Sequence, residues 1–185
     1  NLKDPGIKVM GLHPNVAVNF YRMFDSCISL EEFNVESIIA GAGNYSKTYH
    51  FDEMFDGCSK LRYLDTRFIT ITRGYNGNKV FYFSYMFRNC TSLQQIVITE
   101  WALPNAQSGA GGGQVFTDRM FYNDYSLRDI LVDPNKFVRT RMGYPTWNSN
   151  ANWSNNYMTG MFYNCVKLPH YTPIGANESN AANGR

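Results

Sequence analysis

A chain of 185 residues with 44% hydrophobic side chains can bury a core, which excludes a disordered polypeptide. Seventeen Lys and Arg against fifteen Asp and Glu leave a net charge of +2, too weak for the basic face that phosphate neutralisation requires, so nucleic acid is not an expected partner. No run of about 18 apolar residues is present to insert into a bilayer. Residues 1–10 also lack the charged start and apolar centre of a secretory signal, although a chain opening on Asn1 rather than Met leaves the compartment open.

The first predicted element is a strand in "IKVMGL", where Ile7, Met10 and Leu12 follow a Leu-x-x-Leu-x-Leu spacing. A motif then begins at Met23 ("MFDSCISLEEFNV") and returns at Met54, Met86, Met120 and Met161, with spacings of 31, 32, 34 and 41 residues. Periods of this size signal stacked repeats. Phe20, Phe51, Phe83, Thr117 and Met158 lie three residues before each Met, so with Met-Phe the apolar positions fall at i, i+3 and i+4. That spacing predicts a short helix, ended at Ser26, Gly57, Asn89, Asn123 or Asn164 by types that mostly tolerate the left-handed backbone.

After each helix a Cys and a Leu read as buried: Cys27 and Leu30, Cys58 and Leu61, Cys90 and Leu93, Cys165 and Leu168, with Asp124 in place of Cys before Leu127. The period then becomes two, which predicts a strand with one buried face at Phe33 and Val35, Leu64 and Thr66, Ile96 and Ile98, Ile130 and Val132, and Tyr171 and Pro173. With the upstream copy this gives six strands. From Ile7 to Leu30 is a step of 23 residues, so the later units read as a minimal leucine-rich unit carrying insertions between strand and helix. One insertion, "FITITRGYNGNKVFYFSY", places two aromatic and β-branched runs around Asn-Gly and predicts a β-hairpin.

One short helix and one short strand bury too little surface to offset an ordering cost of roughly 1–2 kcal/mol per residue. Stacking supplies the missing partner. The fold class expected is therefore α/β, a leucine-rich-repeat solenoid over residues 1–173 with β-hairpin or loop insertions, followed by a polar tail or linker at 174–185.

The repeated Met-Phe-x-x-Cys-x-x-Leu-x-x-Leu resembles the BspA-type leucine-rich repeat family, in its Met-Phe variant found among bacterial surface proteins; the resemblance covers residues 7–173. It implies an extracellular, cell-surface or lipid-anchored protein, in some similar proteins implicated in attachment to host matrix or other cells. It brings no catalytic residues. Asp124 and the long aromatic insertions depart from the family pattern, and the insertions suggest something specialised on one side.

The four cysteines share one repeat position without CxxC spacing or flanking His, so they read as free, buried thiols and not as zinc ligands, with a Cys27–Cys58 bond left open. The run "SGAGGGQ" at 108–114 lacks the context of a phosphate loop and reads as a loop tip. His13, His50 and His170 form no metalloprotease motif, and the N-x-S/T sequences at Asn44, Asn89, Asn152 and Asn177 are chance matches in an Asn-rich chain. No metal, cofactor or catalytic residue is expected, and the chain reads as a non-enzyme; the enzymatic alternative, a hydrolase built on the insertions, needs converging carboxylates that the sequence does not locate.

Thirteen Tyr, thirteen Phe and three Trp make 16% of the chain, and two surfaces gather some of them as candidate binding sites. One is the outward strand face: Glu32 and Asn34, Tyr63 and Asp65, Gln95 and Val97, Asp129 and Leu131, His170 and Thr172. The other is "GYPTWNSNANWSNNY", where Tyr144, Trp147, Trp153 and Tyr157 stand among Asn and Ser, a composition suited to glycan stacking or protein hot spots. The expected function is recognition of a protein or glycan ligand at a surface. The competing reading is architectural, a component of a surface layer, filament or virus particle, including a phage's host-attachment part, whose partners are neighbouring copies.

Overall fold

The computed structural model describes residues 18–33, 38–40, 48–66, 69–71, 80–98, 114–131 and 161–168. Nine short strands lie within them: β1 (Val18–Asn19), β2 (Ile38–Ala40), β3 (Thr48–His50), β4 (Tyr63–Asp65), β5 (Ile69–Ile71), β6 (Val80–Tyr82), β7 (Gln95–Val97), β8 (Gln114–Phe116) and β9 (Asp129–Leu131). They form three wholly parallel sheets, ordered β1-β3-β6-β8, β2-β5 and β4-β7-β9. The registers follow the repeat: Val18 faces Tyr49, Ile38 faces Ile69, Tyr63 faces Gln95, and Gln95 faces Asp129. Each offset equals the local spacing of the Met-Phe motif, so equivalent residues of successive repeats are neighbours.

Two expectations are corrected. The motif segments are turns, with no α-helix among the described residues. In the first repeat the Met23 amide donates to the Phe20 carbonyl and the Cys27 amide to that of Phe24, while Arg22 and Ser26 both take φ 58°. Positive φ at the third residue of a four-residue turn is the type II signature. The same pair recurs with Glu53 and Gly57, Tyr85 and Asn89, and Arg119 and Asn123. Turns of this length place their first and fourth residues on the inner side, which gives the i, i+3, i+4 spacing of a helix without its backbone.

The reason turns prevail lies in the intervening amides. Those of Phe20, Arg22, Phe24 and Ser26 donate to the carbonyls of His50, Asp52, Met54 and Asp56 at 2.7–3.2 Å, and the next repeats repeat this ladder. A helix would direct all its amides along its own axis, whereas these turns send alternate amides to the neighbouring repeat. The second correction concerns the predicted hairpin. β5 pairs in parallel with β2, and β6 with β3 and β8, so the two runs flanking Asn76-Gly77 belong to different sheets.

The core consists of columns of equivalent side chains. Phe24, Phe55, Phe87, Phe121 and Phe162 stack with ring centroids 5.4–5.8 Å apart and planes within 16°. Phe20, Phe51 and Phe83 form a second column, continued in sequence by the buried Thr117. Met54, Met86, Met120 and Met161 are fully buried, as are the Leu residues at 30, 61, 93 and 127. The predicted inward pairs follow: Leu64, Thr66, Ile96 and Ile98 are buried, and the Thr66 hydroxyl donates to the Val97 carbonyl at 2.6 Å.

Polar columns run beside the apolar ones. Asn164 donates through Nδ2 to Asn123 Oδ1 at 2.9 Å, Asn123 to Asn89 at 3.0 Å, and Asn89 to Asp56 Oδ1 at 3.4 Å. Asn therefore serves twice at this position, tolerating positive φ and linking repeats through its amide. The thiols form another column, in which Cys58, Cys90 and Cys165 donate to the carbonyls of Phe24, Phe55 and Phe121 at 3.1, 3.1 and 2.9 Å. All four cysteines are free, Cys27 included, which resolves the open question of a Cys27–Cys58 bond. The predicted strand at Ile7–Leu12, the glycine run as far as residue 113 and the tail at 174–185 lie outside the described residues, while Gln114, the last residue of that run, opens β8.

Candidate functional site

On the β4-β7-β9 sheet, alternation turns Leu64 and Ile96 inward and sets Tyr63, Gln95 and Asp129 in one outward column, with Asp65 and Leu131 flanking Val97 in the next; Val97, expected to face outward, is buried and offers no open surface. Gln95 Nε2 donates to Asp129 Oδ2 at 2.7 Å, which holds the lower part of the first column together. Beside it the backbone ladder continues from Arg128 to Gln94 and from Gln94 to Arg62, and the Arg128 guanidinium donates to Gln94 Oε1 at 2.9 Å.

The upper part of this face is concave. Glu31, Glu32 and Phe33 of one repeat and Arg62, Tyr63 and Asp65 of the next enclose a cavity of about 260 Å³. Tyr63 is 48% exposed, and among the described residues its ring stacks on no other ring. Three carboxylates and one guanidinium line the cavity with that ring, so the wall is acidic and rich in acceptors, with the Arg62 guanidinium and the Tyr63 hydroxyl as its side-chain donors. Such a lining can bind hydroxyls, amides or cationic groups while the Tyr63 face takes an apolar or CH-rich surface.

Of the residues singled out in the sequence, Tyr63 and Asp65 meet in this cavity together with Glu32, while Gln95 and Asp129 pair with each other below it. Tyr144, Trp147, Trp153, Tyr157 and His170 lie outside the described residues. Glu31 and Arg62 were not foreseen. Each immediately precedes a predicted outward residue, where alternation along one strand does not place it on the same face, so no sequence signal marked them.

A second outward feature also escaped the sequence reading. On the β1-β3-β6-β8 sheet, His50, Tyr82 and Phe116 stand in register, with His50 and Tyr82 centroids 4.7 Å apart and those of Tyr82 and Phe116 4.6 Å apart. His50 Nδ1 lies 3.1 Å from Asp52 Oδ1. These rings spend their faces on one another and present edges outward, so they are poorer sugar platforms than Tyr63. The alternating runs "TYH", "VFY" and "QVF" before each motif carry the signal for this column.

A third network joins the turns. Arg88 pairs with the buried Asp56 and lies 4.6 Å over the Tyr85 ring, while Arg119 donates to the Tyr85 hydroxyl at 3.0 Å. It links repeats through charge and ring faces. Among the described residues no group of three or more His, Cys, Asp or Glu is placed to hold a metal ion, and no helix is long and apolar enough to cross a membrane. Comparison with family models, with curated proteins and with solved structures gave no match.

Proposed function

We propose that the chain is a BspA-like leucine-rich-repeat solenoid at a cell or particle surface, and that it works as a non-enzymatic binding module for a protein or glycan. The observation that carries this reading is the open Tyr63 ring in the cavity of Glu31, Glu32, Arg62 and Asp65. An exposed aromatic face beside several acceptors and a guanidinium is the recognition chemistry of sugars and of peptide side chains. The parallel ladders and register-matched columns support the stacked architecture, which differs from a helix-containing unit in using turns. The aromatic insertion bearing Trp147 and Trp153 is the second candidate surface. A screen against glycans and matrix proteins tests the proposal, with Tyr63→Ala, Trp147→Ala and Trp153→Ala as probes. Binding lost in Tyr63→Ala and retained in the Trp variants supports the cavity; binding indifferent to all three overturns the assignment of both surfaces.

One observation favours the architectural reading. Met23 of the first described repeat is 44% exposed, whereas the later motif methionines are fully buried. An exposed apolar side chain at a position that stacking buries elsewhere suits contact with a neighbouring copy. Sedimentation across a concentration range separates the readings: concentration-dependent growth abolished by Met23→Lys favours an array, and a monomer at all concentrations favours the binding module.

A further inference from the structure

Asp124 is the departure in the thiol column. It occupies the place of Cys58, Cys90 and Cys165, is fully buried, and neither carboxyl oxygen has a hydrogen-bond partner among the described residues. Each thiol in that column donates to the carbonyl of the Phe one repeat back. By the same register, position 124 addresses the carbonyl of Phe87, which among the described residues receives the Cys90 amide at 3.1 Å. A carboxylate has no proton to donate there, and an unpaired buried charge costs several kcal/mol. A neutral carboxylic acid has one O–H donor, like the thiol it replaces.

We propose that Asp124 is carried in the folded protein as a neutral acid that hydrogen-bonds the Phe87 carbonyl, making the stacking of the third, fourth and fifth repeats acid-strengthened and weakened by its ionisation. Of the groups that bear on Asp124 from the packed turns, the Cys90 backbone amide favours the charged form, and burial together with the Asp56 charge outweighs it. Cys90 and Cys165 stand on either side as buried thiols whose own ionisation is pushed up by desolvation, and Asp56 contributes a negative field although it is paired with Arg88. No cation among these groups offsets a charge at 124. Burial accordingly drives the Asp124 carboxyl well above the usual carboxylate range.

The direction of the pH effect follows. A folded-state pKa above the unfolded value of about 3.9 means full stabilisation below pH about 4 and loss as pH rises through the folded value. Across that window the unfolding constant rises about tenfold per pH unit from this group alone. Asp124→Cys restores the thiol column and Asp124→Asn keeps the shape without a titrating proton.

The test is urea unfolding from about pH 4 to 8 on the unaltered chain and both variants, with infrared spectra of carboxyl-labelled protein at about pH 6. The expected result is a ratio of unfolding constants, unaltered over Asp124→Cys, that climbs with pH at up to about tenfold per unit, and a neutral-carboxyl band absent from Asp124→Asn. A constant ratio overturns the proposal. If the variants do not fold, the unaltered protein still decides it, because absence of a neutral-carboxyl band at about pH 6 places a carboxylate at position 124.

Discussion

Phe55 and Phe87 lie nearly parallel, with planes 11° apart and centroids 5.8 Å apart, although a whole repeat separates them in the chain. Both are fully buried and both continue into further rings, Phe55 to Phe24 and Phe87 to Phe121. Phe87→Ala removes the middle of this column, leaving a cavity that two rigid neighbours cannot close. The expected cost is about 3–5 kcal/mol in urea unfolding. Phe24→Ala, at the first described ring of the column, costs less because it removes one stacked contact where Phe87→Ala removes two.

Gly57 has φ 70°, and a Cβ built there meets Ser26 Oγ at 3.5 Å, an ordinary contact. The cost of substitution is therefore backbone strain and not collision. Gly57→Val should destabilise by about 1–3 kcal/mol, while Gly57→Asn should be far milder and extend the Asn89–Asn123–Asn164 amide column by one member. Equal losses in the two variants, measured by thermal unfolding, would contradict this account of the turn.

The four thiols should label unequally. Cys58 is buried and desolvation raises its pKa to about 12, burial also pushes Cys90 and Cys165 well up, and Cys27 is half-buried with a smaller rise. Only the thiolate reacts, so alkylation near pH 8 followed by mass spectrometry should modify Cys27 first, and the others only under denaturant. Rapid labelling of Cys90 in the native protein would show that the column is not closed.

Arg88 donates through Nε to Asp56 Oδ2 at 3.0 Å, and the Asp56 side chain is only 7% exposed. Arg88→Met leaves that carboxylate with the weak Asn89 contact and removes the cation over Tyr85. Because Arg88 itself reaches solvent, the expected loss is about 2–3 kcal/mol, below that of a fully buried pair. Adding Asp56→Asn should recover part of it, measured as a double-mutant cycle.

The repeat, its register and most of its core were legible in the sequence, because stacking makes each buried position recur at the motif spacing. Phe55, Cys58, Leu61 and Leu64 are all buried where periodicity placed them. The helix was misread because Phe51, Met54 and Phe55 have the same spacing in paired turns as on a helical face. What distinguishes the two is positive φ at Arg22, Glu53, Tyr85 and Arg119, residue types that carry no such signature in sequence. The hairpin was misread because Asn-Gly reports a local turn while the flanking runs find longer-range parallel partners. At the candidate site, alternation identified Tyr63 and Asp65, but Glu31 and Arg62 join them through the approach of two repeats, which spacing along one strand does not encode.

The most direct test of repeat-on-repeat stacking is a set of ring-to-ring nuclear Overhauser effects on selectively labelled phenylalanines. The account predicts an ordered series linking Phe24 to Phe55, Phe55 to Phe87, Phe87 to Phe121 and Phe121 to Phe162, with none joining Phe24 to Phe121. Strong effects between Phe24 and Phe121, or none between Phe55 and Phe87 in the folded protein, would contradict it.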